Sequence, residues 1–260
     1  MTNPVGSSLG ITIKSEREVN LMRQSGVVTN NVKKLLREKI KTGMTTSDID
    51  TIAENQIRSE GAIPAFKGLY GFPATVCASI NEEIVHGIPG NRVLSDGDIL
   101  SIDVGAIVEG YYSDSAFTIG IGSIKQKSAD LIKATYDSLK VGIKKVKPGA
   151  RIGDISSTIQ QFAENSGYSV VREYVGHGIG RELHEDPQIP NYGSAGEGPL
   201  LHAGMTIAIE PMLNIGGWKT MQKEDVWTVV TSDGSLSAHF EDTILVTDCG
   251  FEVLTNDEIN

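Results

Sequence analysis

The sequence has 260 residues, enough for one large domain or two small ones and for a substantial hydrophobic core. Charged residues account for 22% of the chain and apolar residues for 39%, which is typical of a globular protein and argues against disorder. The formal net charge of −10 has the wrong sign for a general binder of nucleic-acid phosphates, so we expect no sequence-specific nucleic-acid partner; local basic patches stay open.

Residues 1–12 are predicted to form a flexible N-terminal arm. This segment has neither the basic start nor the apolar stretch of a secretion signal, and the chain has no run of 18 apolar residues that could cross a membrane. We therefore expect a cytoplasmic protein without membrane contact. The two cysteines, Cys77 and Cys249, are far apart and outside any CxxC pattern, so neither a disulfide framework nor a cysteine zinc site is expected.

Each half of the chain begins with two predicted helices. The first helix begins at the capping box Ser15-Glu-Arg-Glu18 and runs to Lys39, and the second covers 47–59, before Gly61. In the second half, helices are predicted over 126–145 and 152–165, the latter ending before Gly167. Strands rich in β-branched and aromatic residues are predicted over 99–104, 111–119, 206–213, 226–231 and 239–246.

Two segments recur at nearly the same offset. Residues 41–49 resemble residues 147–155 at an offset of 106, and residues 94–103 resemble residues 201–210 at an offset of 107. We therefore predict one catalytic domain over 13–260 with two pseudo-symmetric halves, roughly 13–122 and 123–255. The order of elements favours an α+β fold, with helices over a curved antiparallel sheet, above a doubly wound sheet.

Four acidic residues are candidates for metal binding. Asp103 and Asp114 flank a turn signal at Glu109-Gly110, and a hairpin there would bring the two carboxylates together. Opposed buried carboxylates need either raised pKa values or a cation. The repeat places Glu210 where the first half has Asp103, and Glu241 stands among the apolar residues of a predicted strand. The alternative is that one or both aspartates lie at the solvent edge of a strand.

Four carboxylates would be neutralised by two divalent cations, and oxygen ligands with one imidazole suit Mn, Fe, Co or Zn. Such a two-metal site can lower the pKa of a water molecule and stabilise a hydrolytic transition state. Histidines in glycine-rich turns complete the candidate set: His86 and His177 lie in like His-Gly-Ile tripeptides, and His184 follows His177 by seven residues. Each of these histidines could instead be structural.

His202 and His239 are ranked lower, as surface or supporting residues. The sequence contains no HExxH, GxSxG or Walker A motif. Metal-assisted hydrolysis, or a metal-free descendant of it, is the remaining prediction.

Several separated blocks, in this order, resemble the type I methionine aminopeptidases, a family with the pseudo-twofold pita-bread fold. The resemblance covers residues 13–250 and is carried by Ser79-Ile-Asn-Glu-Glu-Ile-Val-His-Gly-Ile-Pro89, Asp103-Val-Gly, Asp114, Gly176-His-Gly-Ile-Gly180, His184-Glu-Asp-Pro187, Ile209-Glu-Pro-Met212 and Phe240-Glu241. It implies a metallo-exopeptidase that removes the initiator methionine of nascent proteins when the second residue is small.

The resemblance also implies roles for single residues. Asp114 and Glu241 would bridge two divalent ions, and Glu210 would also act as general base. His184 would bind the scissile carbonyl or its oxyanion, and His86 would contact the substrate amide. The complete ligand set implied by the resemblance is Asp103, Asp114, His177, Glu210 and Glu241.

An apolar pocket for the methionine side chain is implied as well. Its residues would be Tyr70, Phe72, Cys77, Leu183 and Trp227, which could instead be ordinary core residues. The chain departs from the family at Leu183, where an aromatic residue is common. It departs again at Ala238-His-Phe-Glu-Asp242, which replaces the commoner Ala-Gln-Phe/Tyr-Glu-His.

Family members act on nascent chains at the ribosome. The basic runs 33–41 and 140–147 could form a face for that contact, or could be solvated helix faces. We expect a monomer of the bacterial cytosolic type. Two alternatives stay open: an Xaa-Pro aminopeptidase or dipeptidase of the same fold, which usually carries an additional N-terminal domain, and a catalytically inactive pita-bread binding protein.

Overall fold

The computed structural model describes residues 10–256. The predicted N-terminal arm lies outside the described residues except at its end. There, Ile11 packs against the main hydrophobic core, and Thr12 Oγ1 donates a hydrogen bond to Glu185 Oε2 (2.7 Å).

The described residues contain four α-helices, and their bounds agree with the predicted ones to within two residues. Capping boxes explain why the first two begin where they do, because the side chains of Ser15 and Thr45 each accept a hydrogen bond from the backbone N–H three residues on. Gly61 and Gly167 have φ of 76° and 84°, which confirms the left-handed caps. The helices are α1 (Glu16–Lys39), α2 (Thr46–Ser59), α3 (Gln126–Ile143) and α4 (Ile152–Asn165).

Fifteen strands occur within residues 10–256, and all of their pairings are antiparallel. They are β1 (Ile63–Pro64), β2 (Val76–Ile80), β3 (Glu83–Val85), β4 (Ile99–Val108), β5 (Tyr111–Gly120), β6 (Ser169–Val170), β7 (Gly176–Gly178), β8 (Glu185–Ile189), β9 (Thr206–Ile209), β10 (Met212–Asn214), β11 (Thr220–Gln222), β12 (Val229–Thr231), β13 (Ser237–His239), β14 (Glu241–Val246) and β15 (Phe251–Val253).

One large sheet spans both halves of the chain. Its strand order is β1-β4-β5-β14-β9-β7-β8, with β2 also paired to β4 and β15 to β14. The hairpin β4–β5 of the first half and the pair β9–β14 of the second half meet where β5 pairs with β14. Two three-stranded sheets, β13-β10-β6 and β11-β12-β3, complete the architecture. The predicted α+β class with a largely antiparallel sheet is confirmed.

The turn between β4 and β5 follows the sequence signal. Glu109 and Gly110 both have positive φ, 50° and 80°, as a type I′ hairpin turn requires. The helices pack against the sheet, since α1 contacts β4 and β5, and α3 contacts β5 and β9 and packs on α4. Their apolar faces form the main core with side chains such as Val32, Leu36 and Ile155. Among residues 10–256 we find no helix that is both long and apolar enough to span a membrane.

Four predicted strands were wrong in extent, of which the strand predicted over 99–104 is longer and continues to Val108. The strand predicted over 206–213 is interrupted after Ile209, where Pro211 cannot donate to a ladder. The strand predicted over 239–246 divides at Phe240, whose backbone N–H donates to the Pro211 carbonyl instead (3.3 Å). The strand predicted over 226–231 begins only at Val229, because Val226 adopts a positive φ of 59°.

Candidate metal centre

The register of the large sheet gathers three of the acidic candidates on one face. Asp103 of β4 lies opposite Ala116 of β5, and Ala116 lies opposite Glu241 of β14. Residues opposite one another in paired strands project from the same face. Asp114, two residues before Ala116, projects from that face as well. The carboxylates therefore surround one small side chain.

The fourth acidic candidate, Glu210, follows β9 and extends the row of carboxylates formed by Asp103, Asp114 and Glu241. Ile209 pairs with Asp242, so the next residue, Glu210, continues the register toward Glu241. The strand ends there, and the Glu210 carbonyl accepts a hydrogen bond from Asn191 Nδ2 (2.9 Å) instead of a ladder partner. The break that shortens the predicted strand is thus also what sets the position of Glu210.

His177 approaches the same face from β7, where it lies opposite Ala208. Its Nδ1 donates to the Gly178 carbonyl (2.8 Å), which leaves the Nε2 lone pair directed at the carboxylates. His177 Nε2 is 3.6 Å from Glu210 Oε1. The flanking glycines are required by backbone packing, because a Cβ on Gly176 would lie 2.3 Å from the Ala208 carbonyl oxygen.

The most compact part of this constellation is formed by Asp114, His177 and Glu241. Each offers one ligand atom, and these atoms all lie within 4.8 Å of one another, with all three side chains buried. Asp103 and Glu210 flank this group. The structure therefore brings together all five residues of the implied ligand set.

The electrostatics of the cluster are unfavourable without a counter-charge. Burial, followed by repulsion from Asp103, raises the pKa of both Asp114 and Glu210 well above the ordinary value for a carboxyl. Burial and repulsion from Asp114 do the same to the pKa of Glu241. Burial lowers the pKa of His177 to about 4, so its imidazole is neutral near pH 7 and available as a ligand.

Several oxygen atoms at this site have no hydrogen-bond partner among the described residues. They are buried atoms of the three side chains that line the row: Asp103 Oδ1, Asp114 Oδ1 and Glu241 Oε1. Buried polar atoms are normally satisfied, so unpaired carboxylate oxygens facing one another need another ligand. Four carboxylates and a neutral imidazole fit divalent cations of the Mn, Fe, Co or Zn type.

A cleft of about 420 Å³ opens beside the carboxylates, and all five predicted pocket residues line it. Phe72, Cys77 and Leu183 are nearly fully buried and give it apolar walls, and the Trp227 ring packs edge-on against Phe72 (5.1 Å). Tyr70 is 73% exposed and lines the mouth of the cleft.

Sequence reasoning missed two apolar residues that also line the cleft, Phe66 and Leu69. Leu69 belongs to a short 3-10 turn, Leu69–Gly71, in which Tyr70 has a positive φ of 50°. The glycines at 68 and 71 are a signal for such a turn and could have marked the segment as part of the cleft wall.

The two remaining predicted histidines lie on the rim of the same cleft. His184 is exposed and places its ring edge-on to His177, 4.5 Å between centroids, so it adjoins the carboxylate cluster. His86 is half-buried, and its ring meets Tyr174 and Trp227 edge-on. Burial lowers the pKa of His86 to about 4, which makes it neutral near pH 7.

Of the two positions considered for His239, surface or supporting, the structure excludes the surface and places the side chain beside the carboxylates. His239 is 1% exposed, and its Nε2 is 3.8 Å from Glu210 Oε2 and 3.9 Å from Glu241 Oε2. His202 is exposed, as expected. The signal for His239 was its place two residues before Glu241 in a strand pattern, which points both side chains to the same face.

Comparison with known proteins agrees with this geometry. The model of metallopeptidase family M24 matches residues 20–248. The chain is 50% identical to a methionine aminopeptidase of Clostridium perfringens, over 94% of this chain and 98% of the relative. It is 51% identical to methionine aminopeptidase 1 of Bacillus subtilis, over 94% and 99%. A crystal structure of methionine aminopeptidase from Rickettsia prowazekii superposes with a TM-score of 0.93 at 43% identity, covering 95% of this chain and all of that one.

The fold and the site define a metal-dependent peptidase, and the chain belongs to metallopeptidase family M24, within its methionine aminopeptidase branch. The resemblance inferred from the sequence motifs and the pita-bread fold are both confirmed.

Proposed function

We propose that this chain removes the N-terminal methionine from newly made proteins whose second residue is small. The observation that carries the proposal is a buried group of Asp114, His177 and Glu241 that could hold a metal ion, beside an apolar cleft. The curated relatives that match nearly the whole chain are methionine aminopeptidases by name. The proline-directed alternative is not favoured by them.

The residues that would hold two divalent ions in this proposal are Asp103, Asp114, His177, Glu210 and Glu241, and the resemblance implies that Asp114 and Glu241 would be shared between the ions. Such ions supply Lewis-acid activation of water and neutralise charge that develops during peptide hydrolysis. Glu210, whose Oε1 lies 3.6 Å from His177 Nε2 at the edge of the ligand set, would act as general base toward the water.

The two histidines on the rim of the cleft, His86 and His184, bind the peptide substrate. His184, which adjoins His177 at 4.5 Å, donates to the scissile carbonyl as negative charge accumulates on the oxygen. His86 is held edge-on between Tyr174 and Trp227 and contacts the amide of the second residue. Fixed donors of this kind contribute because they need little reorganisation during the reaction.

The cleft selects the first residue of the peptide. Phe72, Cys77, Leu183 and Trp227 offer apolar walls without a charged group, which suits an unbranched thioether side chain. Burial and the neighbouring Asp103 raise the pKa of the Cys77 thiol, so it remains protonated and acts as a small apolar residue.

The proposal extends to the place of action: a cytoplasmic monomer that meets nascent chains at the ribosome. The basic run 33–41 supports that contact only in part. Lys34, Lys39 and Lys41 are exposed, but Lys33 is buried and Arg37 stacks on Phe117 (4.0 Å). In the second run, Lys144, Lys145 and Lys147 are exposed.

Peptide turnover tests the function. Protein stripped with a chelator is assayed with Met-Ala-Ser, Met-Leu-Ser and Ala-Pro-Ala, before and after addition of Mn²⁺ or Co²⁺. We expect metal-restored cleavage of Met-Ala-Ser and little cleavage of the other two. Cleavage of Ala-Pro-Ala would assign the chain to a proline-directed activity, and silence on all three peptides with both ions would leave a binding role.

Leu183→Ala tests the methionine pocket. The leucine side chain is 5% exposed and lines the cleft, so its truncation removes apolar contact with the bound side chain. We expect kcat/KM for Met-Ala-Ser to fall by about 10- to 100-fold, since a few methylene groups are worth roughly 1–3 kcal/mol in such a pocket. Met221→Ala, on an exposed strand outside the cleft, is the control and should leave kcat/KM unchanged.

A further inference from the structure

We propose that His239 is an additional metal ligand, so that the centre of this chain holds two imidazoles. The inference rests on the proposed metal site and goes beyond its five ligands.

The position of His239 is what a ligand requires. Its Nε2 lies 3.8 Å from Glu210 Oε2 and 3.9 Å from Glu241 Oε2. Two atoms that each bind one ion at about 2.1 Å can be at most about 4.2 Å apart, and both distances are below that limit. Neither is short enough for a direct hydrogen bond.

The nitrogen also lacks any other use. His239 is 1% exposed, and its Nε2 has no hydrogen-bond partner among residues 10–256. A buried ring nitrogen without a partner is costly, and coordination of an ion between the carboxylates would satisfy it.

The backbone of His239 is fixed at this place. Its N–H donates to Thr118 Oγ1 (3.0 Å), and the same hydroxyl donates to its carbonyl (2.8 Å). Phe240 interrupts the strand directly after it, between β13 and β14. These two hydrogen bonds to Thr118 fix the backbone of His239. The imidazole ring is therefore positioned beside the carboxylates before any ion binds.

Glu210 therefore lies between two imidazoles. Its Oε1 faces His177 Nε2 at 3.6 Å, and its Oε2 faces His239 Nε2 at 3.8 Å. His239 is not in the compact group of Asp114, His177 and Glu241. It lies on the other side of the Glu210 carboxylate. The two imidazoles accordingly serve different sides of the centre.

Cobalt NMR tests the assignment directly. In the Co²⁺-loaded protein, each coordinated histidine gives one strongly shifted, solvent-exchangeable N–H resonance. We expect two such resonances in the wild-type protein and one in His239→Gln. A single resonance in the wild-type protein, unchanged in the variant, would overturn the proposal.

Metal affinity provides a second readout. Calorimetric titration with Co²⁺ should show that His239→Gln weakens binding by about 10-fold or more, and Mn²⁺ binding should weaken less, because imidazole prefers the later ions. Glutamine can still donate a hydrogen bond, so equal affinities in the wild-type protein and the variant would contradict a ligand role. His202→Gln, an exposed control, should bind like the wild-type protein.

These results separate the two proposals. Wild-type protein that binds neither Co²⁺ nor Mn²⁺ would refute the proposed function together with this inference. Tight Co²⁺ binding with one shifted histidine resonance would refute the role of His239 alone.

Discussion

Asp114→Asn is expected to lower kcat/KM for Met-Ala-Ser by at least about 10³-fold, equivalent to roughly 4 kcal/mol of transition-state stabilisation. Asp114 stands at the centre of the cluster, within 4.8 Å of ligand atoms of His177 and Glu241. An amide oxygen carries no charge and cannot bridge two cations in the way a carboxylate does. The variant should therefore bind fewer ions per chain, which elemental analysis after dialysis would measure.

The same substitution should not weaken the metal-free fold. The Asp114 carboxyl is buried, and repulsion from Asp103 adds to the burial that raises its pKa. Asparagine removes that charge, and its amide can donate to the neighbouring carboxylates. The Asp114 backbone N–H keeps its bond to Thr243 Oγ1 (3.0 Å). We expect an unchanged or higher melting temperature in the presence of a chelator, as is common when active-site charges are removed.

Asp130→Asn is the matched control, because Asp130 is exposed and bonded only locally to Gln126 in the described contacts. It should leave both turnover and metal content at the wild-type level. An Asp114→Asn protein that retains wild-type turnover would contradict the central place given to this carboxylate. One that has lost its thermal transition would contradict the stability argument instead.

Local signals were sufficient for the helices and for the acidic row. Ser15 and Thr45 begin capping boxes, and Glu109-Gly110 forms the predicted tight turn, because these features depend on neighbouring residues in the sequence. The tight turn and the period of two along a strand then place Asp103 and Asp114 on one face. The repeat aligned Glu210 with Asp103, and the two carboxylates lie close enough for Asp103 to raise the pKa of Glu210.

The strand breaks required tertiary information. Nothing local shows that Phe240 donates to the Pro211 carbonyl rather than to a ladder partner, since the two residues are far apart in sequence. This hydrogen bond lies where the strands predicted over 206–213 and 239–246 are both interrupted. The interruption places Glu210 and His239 side by side. Sequence reasoning consequently placed Glu210 among the ligands and left His239 as either a surface or a supporting residue, although the same break positions both.

The basic run on α1 shows a similar limit. A run of lysines and arginines is usually solvated, and Lys34 is indeed exposed. Helical periodicity nevertheless turns Lys33 inward onto β5, next to the apolar face that carries Val32 and Leu36. A run of basic residues in the sequence does not show which of them is buried. Burial of one cation depends on the polar groups that contact it in the folded chain.

Lys33→Met is expected to destabilise the protein by about 3–5 kcal/mol, because it removes one partner of a buried charge pair. Lys33 is 2% exposed, and its Nζ donates to Ser115 Oγ (2.7 Å) and to the Thr255 carbonyl (3.0 Å). It also lies 3.6 Å from Asp242 Oδ1. Methionine keeps the apolar stem but leaves the buried Asp242 carboxylate with less compensation.

Chemical denaturation in urea would measure this change. Lys34→Met, an exposed neighbour on the same helix, should stay within about 0.5 kcal/mol of the wild-type protein. Adding Asp242→Asn to Lys33→Met should cost less than the sum of the two single changes, since the pair is lost only once. Additive effects, or a Lys33→Met protein as stable as the Lys34→Met control, would show that the ion pair contributes little.

Loss of the Lys33 side chain should also weaken metal binding at the candidate centre. Ser115 Oγ accepts a hydrogen bond from Lys33 and donates one to the Glu241 carbonyl (2.6 Å). The lysine therefore stabilises the contact between β5 and β14 from the helix side of the sheet. Those two strands carry Asp114 and Glu241 on the opposite side of the sheet. We therefore expect Lys33→Met to weaken Co²⁺ binding more than Lys34→Met does, even under conditions in which both variants are fully folded.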